Sequence, residues 1–303
     1  MSQTTTASIL TIIAPYGKAT LNDEALSQLK NNINIEAEPI WLAEGEAADL
    51  PLNETNADDL KTLNNQINEL LQDKPFDFAL QPEVHRRKKL LISDMDSTII
   101  GEECIDEIAY MAGIKPKIAD ITERAMRGEI EFDAALRERV GLLKDLDVDA
   151  LDTVIAERLN LNKGAKTLVQ TMAANDAFCA LVSGGFTFFT EKIAAMTGFH
   201  TTRANTLEIA NDKLTGQVIP PILGSTAKKQ ALEQFIKEQN ILAEETLAVG
   251  DGANDLEMIK ASGLGVAYYA KPIVAAEADA AVNHTDLTAL LYMQGYKKIE
   301  FVE

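Results

Sequence analysis

The chain has 303 residues, of which 46% are hydrophobic, so it is long enough for two globular domains with a sizeable core. Its 47 acidic and 28 basic side chains give a net charge of -19, which disfavours nucleic acid and anionic membranes as partners. Cys104 and Cys179 form no recognisable disulfide or metal motif, and the sequence has no signal peptide or membrane-length apolar run. We therefore expect a cytoplasmic location.

The first 82 residues predict a small α+β domain. Strand-like and helical segments alternate in it, at residues 8–14, 21–31, 36–43, near 50, 57–72 and 76–80. Asn56 is suited to cap the second helix. The order β-α-β-β-α-β is that of a ferredoxin-like sandwich, and the polar, basic stretch 81–89 predicts the connection that follows it.

From residue 90 onward, strands and helices alternate, which predicts a mainly parallel sheet covered on both faces. The strand-like segments are 90–94, 178–182, 203–209, 214–219, 246–249, 265–268 and 280–282. The helical segments are 164–174, 186–197, 226–239, 253–261 and 286–293. Residues 102–160 contain amphipathic helical pieces and no convincing strand, so they predict a helical lid over the carboxyl ends of the strands.

Four short polar motifs follow predicted strands or begin the next helix. They are Asp94-Met95-Asp96-Ser97-Thr98, Ser183-Gly184-Gly185, Lys228 and Gly250-Asp251-Gly252-Ala253-Asn254-Asp255. In a doubly wound sheet these positions meet in one crevice. Clustered carboxylates need a cation, and oxygen donors at a phosphate site favour Mg²⁺. One aspartate of the first motif could attack phosphorus, while the other transfers protons.

These motifs, in this order and with a helical insertion after the first, resemble the haloacid dehalogenase (HAD) superfamily of phosphohydrolases, and within it the phosphoserine phosphatases. The resemblance implies a HAD-like, Rossmann-type, mainly parallel sheet with an inserted helical-bundle cap. The N-terminal domain is more weakly similar to ACT-like domains. We therefore expect an ACT-like domain at residues 1–82 and a phosphatase domain at 83–303, with the cap at about 102–160.

The resemblance also implies roles for the aspartates. Asp94 matches the nucleophile that becomes phosphorylated, and Asp96 matches the general acid and base. Mg²⁺ would be bound by the Asp94 side chain, the Asp96 backbone carbonyl and Asp251, with Asp255 supporting the site.

The phosphate cradle is expected from three further positions. Ser183, Gly184 and Lys228 match it, and Asn254 matches a residue that contacts the phosphate region. Lys229 is a close rival of Lys228, although the spacing from the last motif favours Lys228.

The resemblance implies that the helical insertion selects the substrate. Glu103 is similar to the carboxylate that receives a substrate ammonium group, and Arg139 to the arginine that pairs with the substrate carboxylate. Arg137 rivals Arg139 but lies on a different helix face. Met126 and Phe132 match apolar residues that shield the site from water.

The implied activity is the Mg²⁺-dependent hydrolysis of O-phospho-L-serine to L-serine and phosphate through an aspartyl-phosphate, the last step of serine biosynthesis. One alternative is a related phosphatase or phosphotransferase for another small phosphomonoester. Another is a non-catalytic amino-acid sensor, which the intact aspartate motifs disfavour. The N-terminal domain suggests dimerisation or regulation, which allows a homodimer.

Overall fold

The computed structural model describes residues 6–15, 17, 21–127, 129–224 and 226–303, apart from the side chains of 53–55, 57 and 126. The strands are β1 (Thr6–Ile13), β2 (Ile40–Ala43), β3 (Ala47–Thr55), β4 (Asp77–Pro82), β5 (Leu90–Ser93), β6 (Phe178–Phe186), β7 (Thr201–Ala210), β8 (Lys213–Ile219), β9 (Thr246–Gly250), β10 (Leu264–Tyr268) and β11 (Ala280–Val282). The helices are α1 (Asp23–Ile33), α2 (Ala57–Leu71), α3 (Cys104–Met111), α4 (Lys115–Met126), α5 (Phe132–Gly141), α6 (Asp149–Glu157), α7 (Ala165–Ala174), α8 (Thr187–Thr197), α9 (Ala227–Gln239), α10 (Leu256–Ala261), α11 (Pro272–Ala275) and α12 (Ala289–Met293). Short 3₁₀ turns lie at Ala243–Glu245, Ala253–Asp255 and Lys298–Glu300. Within the described ranges, none of the helices has the length and apolar character needed to cross a bilayer.

The strands form one continuous sheet in the order β2-β3-β1-β4-β11-β10-β9-β5-β6-β7-β8. The strands from β11 to β7 run parallel, which confirms the predicted mainly parallel sheet. The N-terminal strands are antiparallel to one another, as are β7 and β8 at the opposite edge. Strands β5 and β9 are buried throughout because helices cover both faces of the sheet.

The N-terminal unit has the predicted element order β-α-β-β-α-β. The apolar faces of its two helices pack on its sheet around Leu10, Leu26, Leu50 and Ile67. As predicted, Asn56 caps α2, because its side-chain oxygen accepts the backbone N–H groups of the first helical turn at 3.0 Å.

Buried polar contacts join this unit to the rest of the chain. The carboxylate of Asp77 accepts the backbone N–H groups of residues 283–285 at 2.8–3.2 Å. The Arg86 guanidinium pairs with Asp49 at 2.6 Å and donates to the Met293 carbonyl at 2.9 Å. The two units therefore share both a sheet and a satisfied polar interface.

The predicted helical insertion is present as α3 to α6, with no strand among the described residues of 102–160. Its two ends are held together by Glu102, whose carboxylate accepts the backbone N–H and the side-chain amide of Asn160 at 2.9 and 3.0 Å. The far end of the insertion lies on the β7–β8 hairpin through backbone bonds such as Leu214 N–H to the Leu146 carbonyl, 2.9 Å. These contacts hold the cap over the carboxyl edge of the sheet.

Several predicted boundaries were wrong, among them the end of β6, which runs on to Phe186 and so contains Ser183, Gly184 and Gly185. The second strand begins only at Ile40, directly after Pro39, which has no N–H to donate to a strand ladder. The last helix begins at Ala289 rather than at Asp286. The Asp286 carboxylate accepts the Thr288 N–H at 2.9 Å and so forms a turn before the helix.

Candidate active site

The site lies where the order of the sheet reverses. From β5 the chain passes to β6, β7 and β8 on one side and then returns to β9 on the other. Asp94 directly follows β5 and Asp251 directly follows β9, so both stand at the switch point where open α/β sheets bind ligands. A cavity of about 500 Å³ opens there between the strand ends and the cap.

A buried lysine holds two of the predicted aspartates. Lys228 Nζ lies 2.6 Å from Asp94 Oδ2 and 2.5 Å from Asp255 Oδ1. Burial acts to lower the pKa of Lys228, but the charges of Asp94 and Asp255 outweigh it and raise that pKa above its usual value. Burial and then the charge of Asp255 raise the pKa of Asp94 well above its usual range. Lys229, the rival at this position, is only partly buried and has no place in this cluster.

Three carboxylates at this point could hold a metal ion. One oxygen from each of Asp94, Asp251 and Asp255 lies within 4.8 Å of the others. Burial and then the charge of Asp255 raise the pKa of Asp251 to about 6. A bound cation would relieve this repulsion, and the all-oxygen donor set fits a hard divalent cation.

The side chain of Asp96 is held by hydrogen bonds from the cap and from strand β6. Its Oδ1 accepts the Cys104 N–H at 2.9 Å, at the first residue of α3, and its Oδ2 accepts the Ser183 hydroxyl at 3.2 Å. Burial raises its pKa above the usual value. A Cβ at Gly185 would come within 2.9 Å of Asp96 Oδ2, so the chain needs glycine there to admit the carboxyl group.

Glu103 brings a carboxylate from the base of the cap into the same cavity. Its Oε1 accepts the Ser97 hydroxyl at 2.7 Å. Although Glu103 as a whole is exposed, the protein around its carboxylate excludes part of the solvent, and this desolvation and then the charge of Asp96 raise the pKa of Glu103 to about 7.

Arg139 enters the cavity from α5. Its guanidinium donates to the Ala135 carbonyl at 3.3 Å and, more loosely, to Thr122 Oγ1 at 3.4 Å. Burial lowers its pKa. Its rival Arg137 is exposed to solvent and lies outside the cavity lining.

The remaining predicted site residues are Phe132, Ser183, Gly184, Asn254 and Met126. Phe132 begins α5 and lies over Gly184, where an added Cβ would contact its ring at 3.6 Å. Ser183, Gly184 and Asn254 also line the cavity. Met126 ends α4, and its side chain lies outside the described residues.

Several residues of the lining were not predicted from the sequence to have a role, among them Ile105, Asp106, Thr122, Leu136 and Lys271. Lys271 follows the carboxyl end of β10 closely. The rule that ligands bind beyond such strand ends could therefore have found it. Asp106 and Thr122 lie on cap helices, and their contribution depends on how those helices pack.

Comparisons with known proteins show the family to which the chain belongs. The family model for haloacid dehalogenase-like hydrolases matches residues 88–263. A curated phosphoserine phosphatase of Archaeoglobus fulgidus is 41% identical over 216 residues, which are 71% of this chain and 62% of that protein. A solved phospho-aspartyl intermediate analogue of phosphoserine phosphatase is 40% identical, with a TM-score of 0.63, and the match covers 68% of this chain and 98% of that one. The chain belongs to the phosphoserine phosphatase family.

The likeness to this family extends beyond the catalytic part in some members. The crystal structure of a probable phosphoserine phosphatase from Vibrio cholerae has a TM-score of 0.79 and 33% identity. That match covers 97% of this chain and 88% of the other. The chain spans less than two thirds of the length of some curated relatives, 62% of the Archaeoglobus protein among them.

Proposed function

We propose that the chain hydrolyses O-phospho-L-serine to L-serine and phosphate, with Mg²⁺ and through an aspartyl-phosphate on Asp94. One observation carries this proposal. The same cavity is lined by the aspartate pair Asp94 and Asp96 and by the oppositely charged pair Glu103 and Arg139. The first pair supplies phosphoryl-transfer chemistry, and the second suits a zwitterionic amino acid. Membership of the phosphoserine phosphatase family supports both halves.

In the first step, a carboxylate oxygen of Asp94 attacks phosphorus, and the bond from phosphorus to the serine oxygen breaks. Asp96 donates its proton to the leaving oxygen. Its raised pKa supports this role, because a buried carboxyl group retains its proton closer to neutral pH. Lys228, 2.6 Å from Asp94, would stabilise negative charge on the phosphoryl oxygens.

In the second step, a water molecule attacks the phosphorus of the aspartyl-phosphate. Asp96, now a carboxylate, takes a proton from this water, and the bond from phosphorus to Asp94 breaks. Phosphate leaves, and both aspartates return to their initial states. The contacts from Cys104 and Ser183 would keep Asp96 oriented through both steps.

The side chains of Asp94 and Asp251 and the Asp96 carbonyl would hold Mg²⁺, with Asp255 in support; when bound, the ion neutralises charge on the phosphoryl group. Asp255 fits a supporting role, since its two oxygens already bind Lys228 and the Gly252 N–H.

Substrate selection would rest on the cap. Glu103 would accept the substrate ammonium, and the planar fork of Arg139 would bind its carboxylate. Ser183, Gly184 and Asn254 would surround the phosphate. Phe132 and Met126 would exclude water when substrate is bound.

The test is phosphate release from a panel of esters, with and without Mg²⁺. We expect Mg²⁺-dependent hydrolysis with O-phospho-L-serine preferred over phosphoethanolamine, which lacks the carboxylate, and over sugar phosphates, which lack both charged groups. Equal rates on phosphoserine and phosphoethanolamine would remove Arg139 from substrate recognition. Activity on sugar phosphates alone would favour the second candidate, a phosphatase for another small monoester.

For the cellular role, we propose the last step of serine biosynthesis in the cytoplasm. Cys104 and Cys179 are both buried and unpaired, which suits a reducing compartment. We further propose that the N-terminal unit is an ACT-like domain with a role in dimerisation or regulation. Its β-α-β-β-α-β order supports the assignment as an ACT-like domain.

A further inference from the structure

The cavity is strongly acidic for a site that would bind a phosphate ester. Five carboxylate side chains line it, those of Asp94, Asp96, Glu103, Asp106 and Asp251. The chain as a whole carries a net charge of -19. A phosphomonoester is close to a dianion at neutral pH, because its second pKa is about 6. A divalent cation held by Asp94 and Asp251 would offset part of this charge, but Glu103 and Asp106 still line the cavity, so positive charge at the entrance would favour the approach of the substrate.

Two basic side chains line this cavity, Arg139 and Lys271, and a third, Lys228, lies buried behind it. Lys228 is already engaged with two carboxylates. Arg139 is partly buried beneath the cap, where it contacts Ala135 and Thr122. Lys271 is the exposed one of the three.

The backbone of Lys271 is fixed while its side chain remains accessible. Its N–H donates to the Asp251 carbonyl at 3.2 Å, and its own carbonyl accepts the N–H groups of Val274 and Ala275 at 2.8 and 3.1 Å. No acidic side chain in the described part of the chain forms an ion pair with it. Its side chain lines the same cavity as the carboxylates of Asp251 and Asp94.

We propose that Lys271 is the residue that captures the phosphate dianion at the entrance of the cavity. Its ammonium group attracts the anion into the carboxylate-lined cavity, before the phosphate reaches Lys228 and Asp94. The inference rests on the proposed function only in requiring that the ligand carry a phosphate group, whatever the rest of the ester.

The first experiment compares Lys271→Gln with Lys271→Arg and with Lys166→Gln. Lys166 is exposed on α7 outside the cavity lining, so its substitution makes the same change in net charge. At low ionic strength, Lys271→Gln should lower kcat/KM for O-phospho-L-serine about three- to tenfold through KM, with kcat changing less than about twofold. The deficit should largely disappear at about 0.5 M salt, where the Debye length falls to a few ångströms.

Two results would overturn the proposal by kinetics. One is a Lys271→Gln variant no different from Lys166→Gln at low salt. The other is a loss confined to kcat and independent of salt, which would place Lys271 in the chemical step. Recovery by Lys271→Arg to within about twofold supports a role of charge, since both side chains are cationic.

A binding experiment tests the contribution of Lys271 to phosphate capture even if phosphoserine is not hydrolysed. Inorganic phosphate is titrated calorimetrically into wild type, Lys271→Gln and Lys166→Gln in Mg²⁺ buffer at low and high salt. We expect Lys271→Gln alone to weaken phosphate binding three- to tenfold at low salt, by the screened attraction of one charge for a dianion. Equal phosphate affinity in all three proteins would refute the capture role. Phosphoserine turnover by wild type separately decides the proposed function.

Discussion

Replacement of Lys228 by methionine should destabilise the metal-free protein strongly. The substitution keeps an unbranched apolar side chain, one atom shorter than lysine, but leaves Asp94 and Asp255 buried without their cation. Two unit charges 2.6 Å apart attract by about 6 kcal/mol at an effective dielectric constant of about 20. Desolvation offsets part of this attraction, and loss of one partner from a buried pair typically costs about 3–5 kcal/mol. We expect that loss in the free energy of unfolding.

The assay is urea unfolding in EDTA, with Lys229→Met as the matched control. Lys229 is the next residue of α9 and lies outside the cluster, so its loss should change stability by less than about 1 kcal/mol. The pH dependence has a definite sign. Because the pKa of Asp94 is raised, this carboxyl group is protonated at a higher pH than an ordinary aspartate. A protonated Asp94 needs no cation, so the loss of unfolding free energy caused by Lys228→Met should shrink as pH falls. Equal stability of the two variants at neutral pH would refute the assignment of Lys228 as the compensating cation.

Three further predictions concern catalysis. Asp94→Asn should lower turnover at least about 10⁴-fold, because the nucleophile is lost, while circular dichroism and urea unfolding still report a folded protein, because Lys228 keeps its pair with Asp255; substantial residual turnover would exclude Asp94. Arg139→Ala should raise KM for phosphoserine about tenfold or more by removing a charge-assisted contact, while Arg137→Ala on the exposed face should not; an equal effect of both would count against Arg139. Because desolvation and the charge of Asp96 raise the pKa of Glu103 above its usual value, kcat/KM should rise as pH increases through that raised pKa and the carboxylate that binds the ammonium ionises; Glu103→Gln should lose this dependence, and an unchanged profile would contradict the role.

The chemistry of the site could be predicted from the sequence because its residues lie near or directly after the carboxyl ends of strands. The apolar run before Asp94 predicted β5, and the parallel sheet then brought Asp94, Ser183 and Asp251 to one edge. The choice of Lys228 over Lys229 rested on spacing, and the structure places Lys228 against Asp94.

The junction between the two units was not predictable from the sequence. It depends on one antiparallel pairing, Phe78 with Ala281, between residues far apart in the chain. The carboxylate of Asp77 binds three consecutive backbone N–H groups, and neither partner has a recognisable motif. Such contacts follow from tertiary packing, which local periodicity does not encode.

The presence of Asp106 and Lys271 in the cavity was also not predicted. Asp106 comes from a cap helix and Lys271 from the loop after β10, and only the packing of the cap on the sheet brings them to one cavity. The position of Lys271 just after β10 is one that the strand-end rule favours, but Lys271 belongs to no sequence motif.

The most direct test of the central proposal is to identify the phosphorylated residue. Wild type would be quenched with acid during turnover of O-phospho-L-serine in Mg²⁺, digested and examined by peptide mass spectrometry. We expect phosphate on the peptide that contains Asp94, absent from Asp94→Asn and lost once the substrate is consumed. Steady phosphate release with no phosphorylated aspartate, or with phosphate on another residue, would contradict the mechanism.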